Sequence, residues 1–181
     1  MNGNDKKAIA FLAIIVLLFF GYMYLNNEKE NDQENYVTVT TQNGTKKVSR
    51  DELKKKEFKP TIDAAEKEFE DKRYFPDVIS VQYKVNTSDD TIEMYAIVRD
   101  NVGQKYALEL ADTMIRRFSS IAALNDHSLE APGANDYGTL FDVYNIKIGV
   151  MHNKDIERPD RWLYYKVITA GMHTKQGPNW K

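Results

Sequence analysis

The sequence contains no cysteine. That one absence excludes disulfides, thiolate metal sites, cysteine nucleophiles and the lipid-modified cysteine of a bacterial lipoprotein. Basic residues are not clustered either. The longest basic run is Lys54–Lys56 and the formal net charge is −2, so electrostatics gives no case for nucleic-acid binding. Histidine is scarce, and neither an H-E-x-x-H nor a His-x-His pair occurs. Of the three, His152 and His173 close the third and fourth predicted core strands, at opposite edges of a hairpin, where they cannot share an ion. The G-x-S-x-G elbow, the G-x-G-x-x-G turn and the Walker pattern are missing too. Asp126-His127-Ser128 holds the letters of a catalytic triad, but adjacent residues cannot converge as one. Carboxylates are many (Asp63, Glu66, Glu68, Glu70, Asp71), yet they make the wet face of a predicted helix. The reading therefore predicts a protein that is not an enzyme, with no catalytic residue, no metal and no cofactor.

What the chain does have is one long apolar run. From Ala8 to Leu25 no side chain is charged. As a helix this run spans ~27 Å, close to the roughly 30 Å of a bilayer core. A soluble core helix would show a polar stripe, and this one has none. A signal peptide has a shorter apolar region and a small-residue cleavage site, whereas this run ends in bulky Tyr22, Met23, Tyr24 and Leu25. The run predicts a retained anchor, with Ala8, Phe11, Leu17, Phe20, Tyr22 and Leu25 among its residues and the rings of Tyr22 and Tyr24 at the interface. Lys6 and Lys7 precede it, and Glu28, Glu30, Asp32 and Glu34 outnumber Lys29 behind it. The positive-inside rule then places residues 1–7 in the cytoplasm and residues 26–181 outside the cell membrane.

The spacer 26–35, "NNEKENDQEN", lacks aromatic and β-branched residues and reads as a polar linker. Residues 36–58 read as a small hairpin turning at Asn43-Gly44, then a short helix opened by Ser49-x-x-Glu52. An α+β domain over 59–181 follows. Pro60-Thr61 opens a helix with Ile62, Ala65, Phe69 and Tyr74 on one side, ended by Pro76. Ile79, Val81, Tyr83 and Val85 alternate with polar residues, as do Ile92, Met94, Ala96 and Val98, which predicts two strands. Ala107, Ala111, Met114, Ile115, Phe118, Ile121 and Ala122 recur at helical spacing, and Asp112 can pair with Arg116 on the wet side. After a loop over Asn125–Gly138 come two more strands, one around Tyr144–Val150 and one over Arg161–His173. The order predicts a two-layer domain, a four-stranded antiparallel sheet (ββαββ core) with helices on one face.

One feature asks for a function. Strict alternation puts Tyr95, Ile97, Trp162, Tyr164, Ile168 and Met172 on the sheet face away from the helices, where water should be. Such a face needs a cover, either the 36–58 hairpin or another protein. One anchor followed by a small exterior α+β domain resembles in outline the subunits of Gram-positive envelope machines and the small ring-building domains of sporulation and secretion complexes. That likeness is one of architecture and transfers no functional residue. The sequence thus predicts a single-pass, membrane-anchored, extracytoplasmic binding or assembly module of the cell envelope. Its partners would be membrane lipid through the anchor and a protein partner or a second copy, with no nucleic acid. The alternative is an envelope receptor or inhibitor for a small ligand or wall component, with the 125–138 loop as its mobile part; an enzyme without a recognisable motif ranks last.

Overall fold

The structure is a computed structural model that describes residues 35–41 and 44–172. The predicted anchor 8–25, nearly all of the linker, Asn43 of the predicted turn and the tail carrying His173 lie outside the described residues. Among those described, no helix is long and apolar enough to cross a membrane. Backbone contacts divide the chain into Met1–Tyr36 and Val37–Lys181, and the second unit holds the hydrophobic core.

Strands β1 (Tyr36–Thr41) and β2 (Gly44–Ser49) form a two-stranded sheet. Helix α1 (Arg50–Lys54) starts at Ser49, whose side chain makes no capping hydrogen bond. Helix α2 (Lys59–Phe69) has Pro60 in its first turn, where a missing N–H costs nothing. It ends well before Pro76, because Asp71 accepts from the Arg73 backbone N–H and guanidinium and turns the chain there. Tyr74, read as part of the apolar side, is consequently 74% exposed.

Strands β3 (Val78–Asn86) and β4 (Thr91–Val98), helix α3 (Gln104–Asn125), and strands β5 (Asn145–His152) and β6 (Tyr164–Ile168) complete the domain. The result is a mixed α+β fold with a four-stranded sheet in the order β3-β4-β5-β6. The sheet is not wholly antiparallel. β3–β4 and β5–β6 are antiparallel hairpins, but β4 and β5 run parallel from Thr91↔Asn145 to Val98↔His152. The cause is the connection: a hairpin reverses a strand, whereas the intervening α3 carries the chain back to the end from which β4 started.

Helices α2 and α3 pack on one side. Ala65 and Phe69 of α2 and Ala107, Ala111, Met114, Ile115, Phe118 and Ala122 of α3 meet Tyr83, Ile92, Met94, Ala96, Val98, Ile146, Ile148 and Val150 of the sheet in one continuous core. A bulge between Val78 and Ser80 shifts the start of β3, so Val78 is buried and Ile79 is 50% exposed. The 36–58 segment, read from sequence as a small separate unit, contributes Val37, Val48, Leu53 and Phe58 to this same core. Phe58 stacks on Phe118 and meets Tyr144 edge-on. The hairpin therefore belongs to the helix side and leaves the opposite face of the sheet to be covered by something else.

Candidate functional site: the aromatic outer face

Register decides which residues share that outer face. Directly paired residues lie on one side of a sheet. Tyr95 pairs with Gly149, and Gly149 pairs with Tyr165, so the two tyrosines stand on either side of a glycine. One step along, Ile97 pairs with Met151 and with Ser80; on β3, Gln82 pairs with Tyr95.

Trp162 fills the gap above Gly149. A Cβ at Gly149 would lie 2.5 Å from Trp162 Cζ3 and 2.7 Å from Cε3, so only glycine permits this approach. The indole meets Tyr95 at a centroid distance of 5.7 Å and 72°, and Tyr165 at 5.5 Å and 71°. Both are edge-to-face geometries favoured by the ring quadrupole. Two 3-10 turns, Asn153–Asp155 and Pro159–Arg161, bring Trp162 back over the sheet. The Trp162 indole N–H donates to Asp155 O at 3.0 Å, which fixes the ring. Asp155 is buried, its carboxylate 3.4 Å from Arg158 Nη2 and 3.8 Å from His152 Nδ1, while His152 Nε2 lies 3.1 Å from Val102 O.

Beside the rings lies a groove of about 220 Å³ lined by Ser80, Gln82, Tyr95, Ile97, Met151 and Trp162, together with Val81 and Ile156. No lining residue is charged. Burial, then the nearby Glu93 and Tyr165, raises the Tyr95 hydroxyl above its ordinary value, which keeps it a neutral donor. Tyr165 and Val167 are 50% and 49% exposed.

The predicted surface is thus split. Tyr95, Ile97 and Trp162 do come together. Tyr164 and Ile168 do not join them, because Tyr164 pairs with Val150 and Ile168 with Ile146 on the core side. Alternation carried back from β6 fails at Trp162, since the strand begins only at Tyr164 after a bend at Leu163. Tyr165 and Val167 take the outer positions instead. Met172 lies past β6, beyond a turn at Gly171, outside the sheet face. Reasoning from sequence misses Gly149, Gln82 and Met151. A lone glycine inside a strand pattern signals close approach of another group, and Gly149 carries that signal.

The remaining candidates resolve into structure. His127 is exposed, while Ser128 donates to Asp126, which pairs with Lys56. Asp112 and Arg116 do pair, at 2.9 Å, and they also fasten the 126–138 loop. Tyr137 donates to Asp112 at 2.8 Å, and Arg116 donates to the carbonyls of Gly133 and Asp136 while lying 5.0 Å from the Tyr137 ring centre. Burial, then the bond to Asp112, pushes the Tyr137 hydroxyl far up. Among the described residues no cluster of three His, Asp or Glu side chains is placed to hold a metal. No family model, no curated protein and no solved structure matches the chain.

Proposed function

We propose that this chain is a single-pass, membrane-anchored binding module of the cell envelope, non-enzymatic, that engages its target through the outer face of the sheet. The observation that carries the reading is the Tyr95–Trp162–Tyr165 cluster on the side away from both helices, with Tyr165 half-exposed and Tyr95 and Trp162 partly exposed. Aromatic rings left at a surface cost about 25 cal/mol per Å² of apolar area not removed from water, and they bind with little entropy loss. The sheet edges favour the face over strand addition. On β3, Glu66 accepts from the Tyr83 N–H at 3.1 Å and Lys72 donates to Val78 O at 2.6 Å. On β6, Lys166 points to the helix side at the opposite edge, and burial lowers its pKa. Occupied edge groups and inward charges are the devices that stop sheets pairing edge to edge.

The anchored location rests on the uncharged run Ala8–Leu25 and on Lys6 and Lys7 before it. Protease added to wall-stripped cells should remove the domain; full protection would overturn the topology. For the face, a photocrosslinking residue at Gln82 or Val167 should give a discrete adduct in living cells, and one at Asp63 on α2 should not. Equal yields at all three positions would defeat the assignment. A second reading, a receptor for a small ligand or wall component, is favoured by the uncharged groove beside Trp162.

A further inference from the structure

We propose that the groove beside Trp162 binds a neutral pyranose unit of an extracellular glycan. This rests on the binding-face reading above and adds the chemical class of the ligand. The size of the groove comes first. At about 220 Å³ it falls below the roughly 300–1,000 Å³ of sites that enclose drug-sized ligands, so it takes one ring rather than a helix or a long peptide.

Charge comes next. The lining offers no ion pair, so a phosphate, carboxylate or ammonium would give up hydration for nothing. A purely apolar occupant fits no better. It would take the Ser80 hydroxyl and the Gln82 amide out of water without replacing their hydrogen bonds, and neither side chain has a hydrogen-bond partner among the described residues. A pyranose meets both demands. Its C–H face is apolar and lies against an aromatic ring, while its equatorial hydroxyls reach Gln82, Ser80 and the Tyr95 hydroxyl.

The site is also held ready. Trp162 is tied to Asp155 O through its indole N–H and seated against Gly149, and Tyr95 braces it edge-on. Binding therefore has little side-chain ordering left to do.

The test uses the full-length chain, isotope-labelled, in detergent. The probes are neutral β-linked tetrasaccharides of glucose and of N-acetylglucosamine, with a tetragalacturonate as the charged counterpart. At least one neutral probe should shift the resonances of Gln82, Tyr95 and Trp162 saturably, and the charged probe should not. Trp162→Ala should weaken binding about tenfold, the equivalent of one good aromatic contact. Gln82→Ala, an exposed change that leaves the core untouched, should weaken it by a smaller factor. The proposal is overturned if neither neutral probe shifts these residues, if the shifts map elsewhere, or if the charged probe binds as well. If the sugars fail while the Gln82 photocrosslinker still gives its discrete adduct in cells, the glycan falls and the binding face stands. If both fail, both fall.

Discussion

Gly149 shows how one side chain's absence builds the site. Its hydrogen lets the Trp162 ring approach the sheet, with Tyr95 and Tyr165 on either side. Gly149→Val should cost about 1–3 kcal/mol through overpacking. It should also expose Trp162, read as a red shift of indole emission in a Trp180→Phe background. An unshifted emission would mean that Trp162 has another seat. The buried tyrosines carry a second consequence at this scale. Burial, ahead of the nearby Asp90, pushes Tyr144 from 10.0 up to about 12; burial, ahead of Asp112, does the same for Tyr164. Tyr83 and Tyr137 move in the same direction. In each case the folded chain holds its proton to higher pH than the unfolded one. The stability that the neutral hydroxyls secure is complete below pH 10 and drains away as pH rises from 10 through about 12. A pH titration should show part of the tyrosinate absorbance appearing together with loss of near-ultraviolet circular dichroism. One smooth tyrosine titration with the fold intact to the end would contradict these burials.

At the scale of elements, the clamp on the 126–138 loop is the feature with the clearest energetic handle. Tyr137→Phe removes a hydrogen bond to the Asp112 carboxylate and should cost roughly 1.5–3 kcal/mol. Amide exchange should rise through the loop while α3 stays protected; uniform exchange through both would show that the loop is held by other means. Helix α3 is legible in the sequence because apolar residues recur at three and four, and six of the seven so read, Ala107, Ala111, Met114, Ile115, Phe118 and Ala122, are buried. The Asp112–Arg116 pair is legible too, because it is local. Tyr137, their third member, is not, since it lies 25 residues from Asp112. The parallel β4–β5 pair is recoverable in principle, since a helix between adjacent strands implies a crossover. Two residue-level irregularities are not. The Val78/Ser80 bulge and the bend at Leu163 each break the two-residue period, and alternation has no way to register a break. The bulge puts Ile79 on the wrong side, and the bend does the same for Tyr164 and Ile168, while Tyr95, Ile97 and Trp162 are assigned to the right one.

For the whole molecule, the decisive question is where the folding unit begins. Read from sequence, the strong periodic elements all lie after Pro60, which suggests that a chain starting there folds by itself. Packing argues otherwise. Leu53 is fully buried and Phe58 is 8% exposed, and Phe58 lies against both Phe118 and Tyr144. Lys54 pairs with Asp90 at 2.8 Å, and Lys56 pairs with Asp126, so the segment before Pro60 is also tied to two separate turns of the domain. Both pairs are partly exposed and worth little alone. The apolar loss is the larger effect. Removing a buried leucine side chain costs about 2–5 kcal/mol and a buried phenylalanine about 3–5. Their combined removal approaches the roughly 5–15 kcal/mol that holds a whole domain folded. A chain starting at Asn35 should therefore melt cooperatively in urea, whereas one starting at Pro60 should be unfolded or bind a hydrophobic dye in buffer alone. The aromatic face does not confound the comparison, because neither truncation touches Tyr95, Gly149 or Trp162. Equal midpoints for the two chains would show that Leu53 and Phe58 only cover a core that closes without them.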